Sequence, residues 1–192
     1  MISAIILAAG ESKRMGEPKM LLPWGKSTVL QTVISTLQAA GVDDILVVTG
    51  GAHEQVDMLI GKSVQTVYNE NYVDGEMLSS LQAGLTIKKT EASAALICLG
   101  DQPQVQARSV QRILQTYKES HAPLIVPSYQ MHRGHPWMFA RELWDDILKM
   151  RAPKTPRDFL NKHEKDILYL ELDTPTILQD LDTKDDYLKS TT

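Results

Sequence analysis

The sequence predicts an α/β protein in which helices cover both faces of a mostly parallel sheet. Residues 2–7 form a short apolar run without alternation, which is typical of a strand buried on both faces. Strand-like and helix-like segments then alternate along the chain, as in successive β-α-β units. The length of 192 residues suffices for one such sheet with its two helical layers. We therefore expect a single three-layer domain over residues 1–192.

The first half of the chain shows this alternation clearly. After the first strand, apolar residues recur at helical spacing over residues 29–40, and Gly41 ends that helix. A buried strand is predicted at 45–48. Gly50 and Gly51 are expected to open a short helix that runs to residue 60, and partial alternation predicts a strand at 64–68.

The second half continues the pattern. Apolar spacing predicts helices over residues 77–85, 110–117 and 143–148, with a short helix near Phe159. Apolar runs predict strands at 94–99, 124–126, 136–139 and 167–172. No linker, repeat or low-complexity segment divides the chain, which favours one domain.

Composition and charge limit the class of protein. The net charge of −4 and the pI near 5.7 argue against nucleic acid or an anionic membrane as the main partner. No apolar run approaches the roughly 20 residues of a membrane helix. The first strand follows the start of the chain with no basic leader, so we expect a cytoplasmic protein. The single cysteine, Cys98, lies in an apolar strand and is expected to be a packed thiol.

A loop of small residues with two cations follows the first strand. The Ala-Ala-Gly sequence at 8–10 removes side-chain bulk at the carboxyl edge of the sheet, where open α/β folds bind ligands. Arg14 and Lys19 add positive charge that suits a nucleoside triphosphate. The spacing alone fits a tight turn with solvated surface cations equally well.

Two commoner phosphate-binding loops are excluded by residue counting. A Walker loop that ends at Gly25-Lys26-Ser27 would need its first glycine where Met20 stands. A dinucleotide fingerprint needs three closely spaced glycines after the strand, and the Gly10 to Gly16 spacing does not supply them.

Four segments resemble one enzyme family in the same order along the chain. The first is Leu-Ala-Ala-Gly-x-Ser-x-Arg-Met-Gly-x-x-Lys at 7–19, and the others lie at 99–103, 134–136 and 180–183. They are similar to segments of nucleotidyltransferases in the molybdenum cofactor cytidylyltransferase-like family. The resemblance implies a Rossmann-like nucleotidyltransferase fold with some antiparallel strands near the acceptor side. It places the nucleotide-binding half at about residues 1–105 and the acceptor-binding half at about 106–192.

The resemblance implies a nucleotide site around the first loop. It assigns base selection to the backbone of Leu7, Ala8, Ala9 and Gly10. The guanylyl relatives carry Ala-Gly-Gly where this chain has Ala-Ala-Gly, so CTP is the expected substrate and Ala9 should disfavour GTP. Arg14 and Lys19 are expected to stabilise the α-phosphate and the pyrophosphate. Ser79 and Ser80, at a helix start, are also assigned to the nucleotide, although an ordinary helix cap fits equally well.

Carboxylates at the same sheet edge are candidates for a metal site. Asp101 follows the strand at 94–99 and should lie beside the nucleotide loop. Mg²⁺ takes one or two protein carboxylates with waters and phosphates, and it would neutralise charge on the pyrophosphate. The second carboxylate is expected from the late polar segment, with Asp182 favoured over Asp180. The alternatives are a helix-capping Asp101 and a solvated acidic cluster near the C-terminus.

The acceptor side is predicted from the second half of the chain. Arg133 and His135 stand beside a glycine and a proline that restrict the backbone, and the resemblance implies that they meet an acceptor phosphate. Arg157 alone survives from the family's Gly-Asp-x-Gly-Ala-Arg run, which residues 155–160 otherwise lack. This departure concerns the identity of the acceptor more than the type of reaction. A zinc site at His132 and His135 is weakly supported, because no cysteine or third ligand accompanies the pair.

These observations predict a Mg²⁺-dependent transfer of CMP from CTP to the phosphate of a molybdopterin-type molybdenum cofactor. The nucleophile is already an ionised phosphate, so positioning and charge neutralisation replace a strong general base. One alternative is a nucleotidyltransferase for a sugar phosphate or another small phosphorylated acceptor. A second alternative, from a different class of protein, is a non-catalytic carrier that delivers molybdenum cofactor to a molybdoenzyme client.

Overall fold

The computed structural model describes residues 1–90 and 92–191, which form ten strands and seven α-helices. The strands are β1 (Ile2–Ala8), β2 (Pro23–Trp24), β3 (Ser27–Thr28), β4 (Ile45–Thr49), β5 (Gln65–Tyr68), β6 (Ala94–Leu99), β7 (Leu124–Tyr129), β8 (His132–Arg133), β9 (Trp137–Ala140) and β10 (Ile167–Glu171). The helices are α1 (Val29–Ala39), α2 (His53–Ile60), α3 (Glu76–Lys88), α4 (Ala107–Ser120), α5 (Trp144–Lys149), α6 (Pro156–Lys162) and α7 (Lys184–Thr191).

One sheet of eight strands carries both halves of the chain. Its order is β10-β7-β9-β6-β1-β4-β5, and β8 pairs with β7 outside this path. Strand β1 lies in the middle and pairs in parallel with β4 and β6. Strand β9 is antiparallel to both β6 and β7, so the antiparallel pairs expected near the acceptor side are present. The predicted fold class, a mostly parallel α/β sheet, is confirmed.

Helices cover both faces of the sheet because alternate residues of β1 point to opposite sides. Ala4 and Ile6 pack in one core with apolar residues of α1, α2 and α4. Ile5 and Leu7 pack in a second core with residues of α3, α5 and α6. The unbroken apolar run at the start of the chain therefore reflects burial on two faces, as the three-layer prediction requires.

Helix α3 approaches the sheet closely at Gly84. A Cβ atom at this position would lie 2.4 Å from Ile5 Cγ2 and 3.1 Å from Val48 Cγ2. Only glycine leaves room for these branched side chains. The missing side chain therefore sets the distance between α3 and strands β1 and β4.

A buried ion pair lies at the amino edge of the sheet, opposite the predicted site. The Lys88 side chain is 2% exposed and donates to Asp44 Oδ1 at 2.6 Å and to Gln65 Oε1 at 3.1 Å. The Ser3 hydroxyl donates to the other Asp44 oxygen. Burial alone would raise the pKa of Asp44, but the hydrogen bonds from Lys88 and Ser3 outweigh it and lower that pKa. These contacts join β1, α3 and β5 to the turn before β4.

The predicted strands and main helices are all present, with ends that shift by at most three residues. One boundary was wrong. Gly50 and Gly51 precede α2 rather than opening it, and the helix begins at His53. Cys98 is buried as expected, and burial raises the pKa of its thiol. Within the described part of the chain, no helix is long and apolar enough to cross a membrane.

Four elements were missed by the sequence reasoning. Strands β2, β3 and β8 have two residues each, too few to show a period. Helix α7 is polar and carries no buried residue, so apolar spacing does not reveal it. A start signal was nevertheless present, because Thr183 and Asp186 exchange hydrogen bonds in a capping box. The last part of the predicted acidic cluster is therefore the first turn of a helix.

Candidate active site

The loop after β1 is folded around Ser12. The backbone N–H groups of Met15 and Gly16 donate to the Ser12 carbonyl at 2.9 and 3.2 Å. Further on, the N–H group of Lys19 donates to Ser12 Oγ at 3.1 Å. Ser12 and Gly16 have positive φ values of 54° and 76°, which a tight turn of this kind requires. This turn brings Lys19 back beside the carboxyl end of β1.

The predicted base-selecting residues lie at the end of β1. Leu7, Ala8 and Ala9 are buried, whereas Gly10 is exposed. The Leu7 carbonyl accepts a hydrogen bond from the Gly100 N–H group at 3.0 Å, which holds the end of β1 against the loop after β6. A Cβ atom on Gly50 would lie 2.3 Å from the Ala9 carbonyl oxygen, so the loop after β4 also packs tightly against this segment.

Lys19, Asp101 and Asp182 form one cluster of opposite charges. Lys19 Nζ contacts Asp101 Oδ2 directly and lies 3.4 Å from Asp182 Oδ1. Arg14 lies at the rim, with its guanidinium 3.8 Å from Asp182 Oδ2. The side chains of Lys19 and Asp101 are only 12% and 15% exposed, so water screens their attraction poorly. Burial alone would lower the pKa of Lys19, but the two carboxylates outweigh it and raise that pKa.

The late polar segment reaches this cluster through its backbone. The N–H group of Leu181 donates to the Asp101 carbonyl at 3.1 Å, and the Leu181 side chain is buried beside Met15. The aspartates on either side of Leu181 then have different surroundings. Asp182 contacts Lys19, whereas Asp180 accepts a hydrogen bond from Gln102 Nε2 at 2.5 Å. Partial burial and the nearby Asp101 carboxylate raise the pKa of Asp180 against the effect of that hydrogen bond.

The carboxylates of Asp101 and Asp182 are close enough to share one cation, since both contact the same ammonium group. Among the described residues, no group of three or more His, Cys, Asp or Glu side chains is placed to hold a metal ion. Two carboxylates suit Mg²⁺, which completes its shell with waters and substrate phosphates, better than they suit a metal held in an all-protein cage. The donor set therefore fits the predicted metal.

Ser79 and Ser80 are engaged within the protein. Asn69 Nδ2 donates to the Ser79 hydroxyl at 2.8 Å and to the Ser80 hydroxyl at 3.0 Å. Both hydroxyls also lie within hydrogen-bond distance of the Glu76 carbonyl. These bonds tie the turn after β5 to the first turns of α3. Contact of either serine with a nucleotide stays a prediction.

A cavity of about 1100 Å³ lies beside the cluster, on the side of the second half of the chain. Asp180 and Gln102 line it next to the cluster. The three predicted acceptor residues also line it: Arg133, His135 and Arg157. Sequence reasoning missed two further cations and an amide in the lining: Arg151, Lys154 and Gln82. Residues 7–19, Asp101 and Asp182 are not part of its lining, so the cavity approaches the cluster through Asp180 and Gln102, and Ser79 also lines it.

The predicted acceptor residues differ in chemistry. Arg133 lies 5.4 Å over the Tyr169 ring and donates to its hydroxyl, which directs the guanidinium along β10. His135 stacks on Trp137 with ring centroids 4.1 Å apart, and its buried Nε2 has no hydrogen-bond partner among the described residues. Burial lowers the pKa of His135 to about 3, so its imidazole is neutral at pH 7. The positive charge of this cavity wall at pH 7 therefore comes from arginine and lysine side chains and not from His135.

The missed cavity residues had a partial signal in the sequence. Arg151 and Lys154 lie in the irregular segment between α5 and α6, just before Arg157 in the first turn of α6, but sequence spacing does not show which cations of a loop face inward. Gln82 lies in α3, and its Nε2 donates to the carbonyls of Ile147 and Met150 at 2.9 and 3.0 Å. These contacts connect residues 65 and 68 positions apart, which only the fold brings together.

A family model matches most of the sequence, including the loop after β1 and Asp101. The model of the MobA-like NTP transferase domain matches residues 4–167. The chain belongs to this family. The resemblance seen in the four sequence segments is therefore confirmed, and the protein is a nucleotidyltransferase by family and fold.

Two relatives of known activity show how far the similarity extends. The molybdenum cofactor cytidylyltransferase of Escherichia coli K12 is 28% identical over 190 residues, which cover 97% of this chain and 94% of that protein. The bifunctional protein GlmU of Syntrophomonas wolfei is 31% identical over 134 residues, which cover 68% of this chain and 29% of GlmU. This chain therefore corresponds to less than a third of GlmU.

Solved structures agree with the family. Rv0371c from Mycobacterium tuberculosis superposes with a TM-score of 0.86 at 28% identity, over 99% of this chain and 97% of that one. The same protein in complex with manganese superposes with a TM-score of 0.82 at 27% identity, over 99% and 97% of the two chains. A nucleotidyl transferase from Methanothermobacter gives a TM-score of 0.83 at 27% identity, over 100% and 96%. The nucleotidyltransferase fold predicted from the sequence is therefore confirmed.

Proposed function

We propose that this MobA-like protein transfers CMP from CTP to the phosphate of a molybdopterin-type molybdenum cofactor. The observation that carries the proposal is the cluster of Lys19, Asp101 and Asp182 beside a cavity of about 1100 Å³, large enough for a second substrate. Similarity to a molybdenum cofactor cytidylyltransferase over both halves of the chain supports the choice of acceptor. We also propose that residues 1–192 act as one domain, since one sheet joins the two halves.

The reaction exchanges one phosphoanhydride bond for another. An oxygen of the acceptor phosphate attacks the α-phosphorus of CTP in line and forms a new P–O bond. The bond from the α-phosphorus to the bridging oxygen breaks, and its electron pair leaves with pyrophosphate. Lys19 and Arg14 would stabilise the negative charge that shifts toward the pyrophosphate. The acceptor phosphate is ionised at neutral pH, so the site needs no residue to remove a proton.

Selection of the nucleotide is assigned to the end of β1. Backbone groups of Leu7 to Gly10 would contact the base, and the Ala9 methyl group would take space that a purine needs. The tight packing of Gly50 against the Ala9 carbonyl supports this, because it keeps the segment from moving away from a larger base. Ser79 and Ser80 would act on the nucleotide through the position of α3 more than through free hydroxyls, since Asn69 already binds both.

Asp101 and Asp182 are the residues that would hold Mg²⁺. When bound, the ion neutralises charge on the phosphates of the nucleotide. Lys19 contacts both carboxylates and would keep them together, while Arg14 remains at the rim for the phosphates. Asp182 is favoured over Asp180, because Asp180 faces Gln102 and the cavity.

The acceptor would bind in the cavity. Arg133 and Arg157 would meet its phosphate together with Arg151 and Lys154, which line the same cavity. His135 would contribute a neutral hydrogen-bonding group in place of charge, since burial lowers the pKa of its imidazole to about 3. This division suits an acceptor that has both an anionic end and an uncharged polar end.

The first test is pyrophosphate release by purified protein with Mg²⁺ and molybdenum cofactor, with CTP, GTP, ATP and UTP offered separately. We expect release with CTP and a loss of about a hundredfold or more in the Asp101→Asn variant, because its amide cannot balance Lys19 or bind the metal. Asp173→Asn, at an exposed ion pair with Arg108, is the matched control and should keep full activity. Binding of CTP without release would favour a carrier, and full release by the Asp101→Asn variant would overturn the role assigned to Asp101.

A second candidate function is nucleotidyl transfer to a sugar phosphate. It is favoured by the match of residues in this chain to GlmU and by the absence of the Gly-Asp-x-Gly-Ala-Arg run near Arg157. Offering glucose 1-phosphate and N-acetylglucosamine 1-phosphate in the same assay separates the two. Release with a sugar phosphate and none with molybdenum cofactor would replace the first proposal with this one.

A further inference from the structure

The hairpin between β7 and β8 presents Met131 to the cavity. Met131 lines the cavity, and the residue is 92% exposed. Gln130 and Met131 alone connect the two strands, which pair through Tyr129 and His132. A long apolar side chain therefore stands in solvent at the border of the proposed acceptor site.

The backbone of this turn does not explain the choice of methionine. Gln130 and Met131 have φ values of 48° and 67°, in the left-handed region. Two-residue hairpins of this conformation favour asparagine, aspartate and glycine, because other side chains adopt a positive φ rarely. Strain of this kind is found at functional positions when the surroundings hold it in place.

Glu171 of β10 provides such a support. Its Oε1 accepts a hydrogen bond from the Gln130 N–H group at 2.8 Å, and its Oε2 accepts one from the Ser128 hydroxyl at 2.6 Å. On the other strand, the Arg133 guanidinium is held against Tyr169. Both strands of the hairpin are thus attached to β10, and the position of Met131 does not depend on contacts of its own side chain.

The cavity beside Met131 combines apolar and cationic walls. Met77, Met150 and Trp137 contribute apolar surface, while Arg151 and Lys154 contribute charge. A ligand with one flat apolar face and one anionic group would match both. The methionine thioether is flexible and polarisable, and it packs well on the faces and edges of aromatic rings.

From these observations we propose that Met131 contacts the acceptor and covers one face of the flat pyrimidine ring of its pterin. Contact with a flat ring would make this residue select a pterin phosphate over a sugar phosphate. The inference rests on the proposed function, because it takes the acceptor to be the molybdenum cofactor. It adds a specificity residue that lies outside the charged cluster.

Anaerobic equilibrium dialysis with molybdenum cofactor tests the proposal, with pyrophosphate release measured on the same samples. Met131→Asn keeps a residue that tolerates positive φ but removes the apolar cover, and we expect it to weaken cofactor binding about fivefold. Met131→Leu should retain most of the binding. Met58→Asn, at a 77% exposed methionine in α2, is the matched control and should bind as the wild type does. Affinity for CTP should be the same in all four proteins.

The outcomes separate this inference from the proposed function. Equal cofactor binding by the wild type and Met131→Asn would overturn the inference, even if pyrophosphate is released. Weaker binding by Met131→Asn without any pyrophosphate release in the wild type would support the contact and overturn the transfer reaction. No binding by the wild type would overturn both. An equal loss of affinity for glucose 1-phosphate would overturn the claim of selection.

Discussion

Lys19 connects the two parts of the site. Its backbone N–H group is bonded to Ser12 in the first loop, and its ammonium contacts Asp101 and Asp182. The side chain is nearly buried, so the attraction to the carboxylates is strong compared with that of surface pairs. The same residue therefore positions the loop that would bind the nucleotide and balances the carboxylates that would hold the metal.

His135 leads to a prediction on pH and stability. Its pKa is about 3 in the folded protein and ordinarily 6.5, so below pH 6.5 the unfolded chain binds a proton that the folded protein refuses. The contribution of this residue to stability is thus complete above pH 6.5 and is lost as the pH falls toward 3. The glutamine of His135→Gln does not titrate. Between pH 7 and pH 4.5 the free energy of unfolding of this variant should therefore fall by about 2 kcal/mol less than that of the wild type.

Urea unfolding at the two pH values measures this difference. His121→Asn is the control, because His121 is an exposed residue with a left-handed φ of 52°, which asparagine accepts. It should lose as much stability as the wild type. The same loss in His135→Gln and the wild type would show that the imidazole of His135 is protonated normally in the folded protein.

At the scale of single elements, α3 links the proposed nucleotide side to the proposed acceptor side. Its first turns are bonded to the turn after β5 through Asn69. Its middle packs on the sheet at Gly84, and Gln82 holds the end of α5, which precedes Arg151 and Lys154. A displacement of α3 would therefore move groups on both sides of the proposed site.

Gly84→Ala tests the close packing of this helix. In an exposed helix, replacing glycine with alanine stabilises by about 1 kcal/mol. Here the new methyl group would overlap Ile5 and Val48, so we expect the free energy of unfolding to fall by about 2 kcal/mol. Thr86→Ala, at an exposed position of the same helix, should change it by less than about 0.5 kcal/mol. Thermal and urea unfolding measure both, and a stabilised Gly84→Ala would contradict the packing argument.

At the scale of the whole molecule, a stabilising ion pair and the proposed active site lie at opposite edges of the sheet. The amino edge carries the buried pair of Lys88 and Asp44, which joins strands to α3. The carboxyl edge carries the cluster around Lys19, where loops of both halves meet. Substitutions at the amino edge should therefore change stability, and substitutions at the carboxyl edge should change activity.

Asp44→Asn tests this division. Removing the carboxylate leaves the Lys88 ammonium buried with weaker partners, so the variant should lose about 2 kcal/mol of stability at pH 7. The folded pKa of Asp44 is lowered, so this contribution is present above its ordinary value of 3.8 and is lost as the pH falls through the folded pKa. Asp43→Asn, at the exposed neighbouring residue, is the control. Below the unfolding temperature, KM for CTP should match that of the wild type, and a raised KM would contradict the division.

Much of the fold can be predicted from the sequence, because an element that is buried in the core has a local pattern of apolar residues. The run at residues 2–7 and the helical spacing at 29–40 reflect contact with the core, so β1 and α1 were predicted with ends within one residue. The two-residue strands are too short to show such a pattern. Helix α7 is held by its cap and by the Tyr187 hydroxyl, which donates to the Pro23 carbonyl at 2.6 Å. Elements stabilised by such distant contacts have little periodicity to detect.

The sequence by itself determined the α/β class, the central buried strand and the family, because apolar periodicity and a motif with fixed spacing are local properties. Only the tertiary structure decided that Asp182 contacts Lys19 while Asp180 faces the cavity, because that depends on a backbone bond between Leu181 and Asp101. It also decided that His135 is neutral and that Met131 stands at the border of the cavity. Charge state and exposure depend on groups from distant parts of the chain, and packing alone brings those groups together.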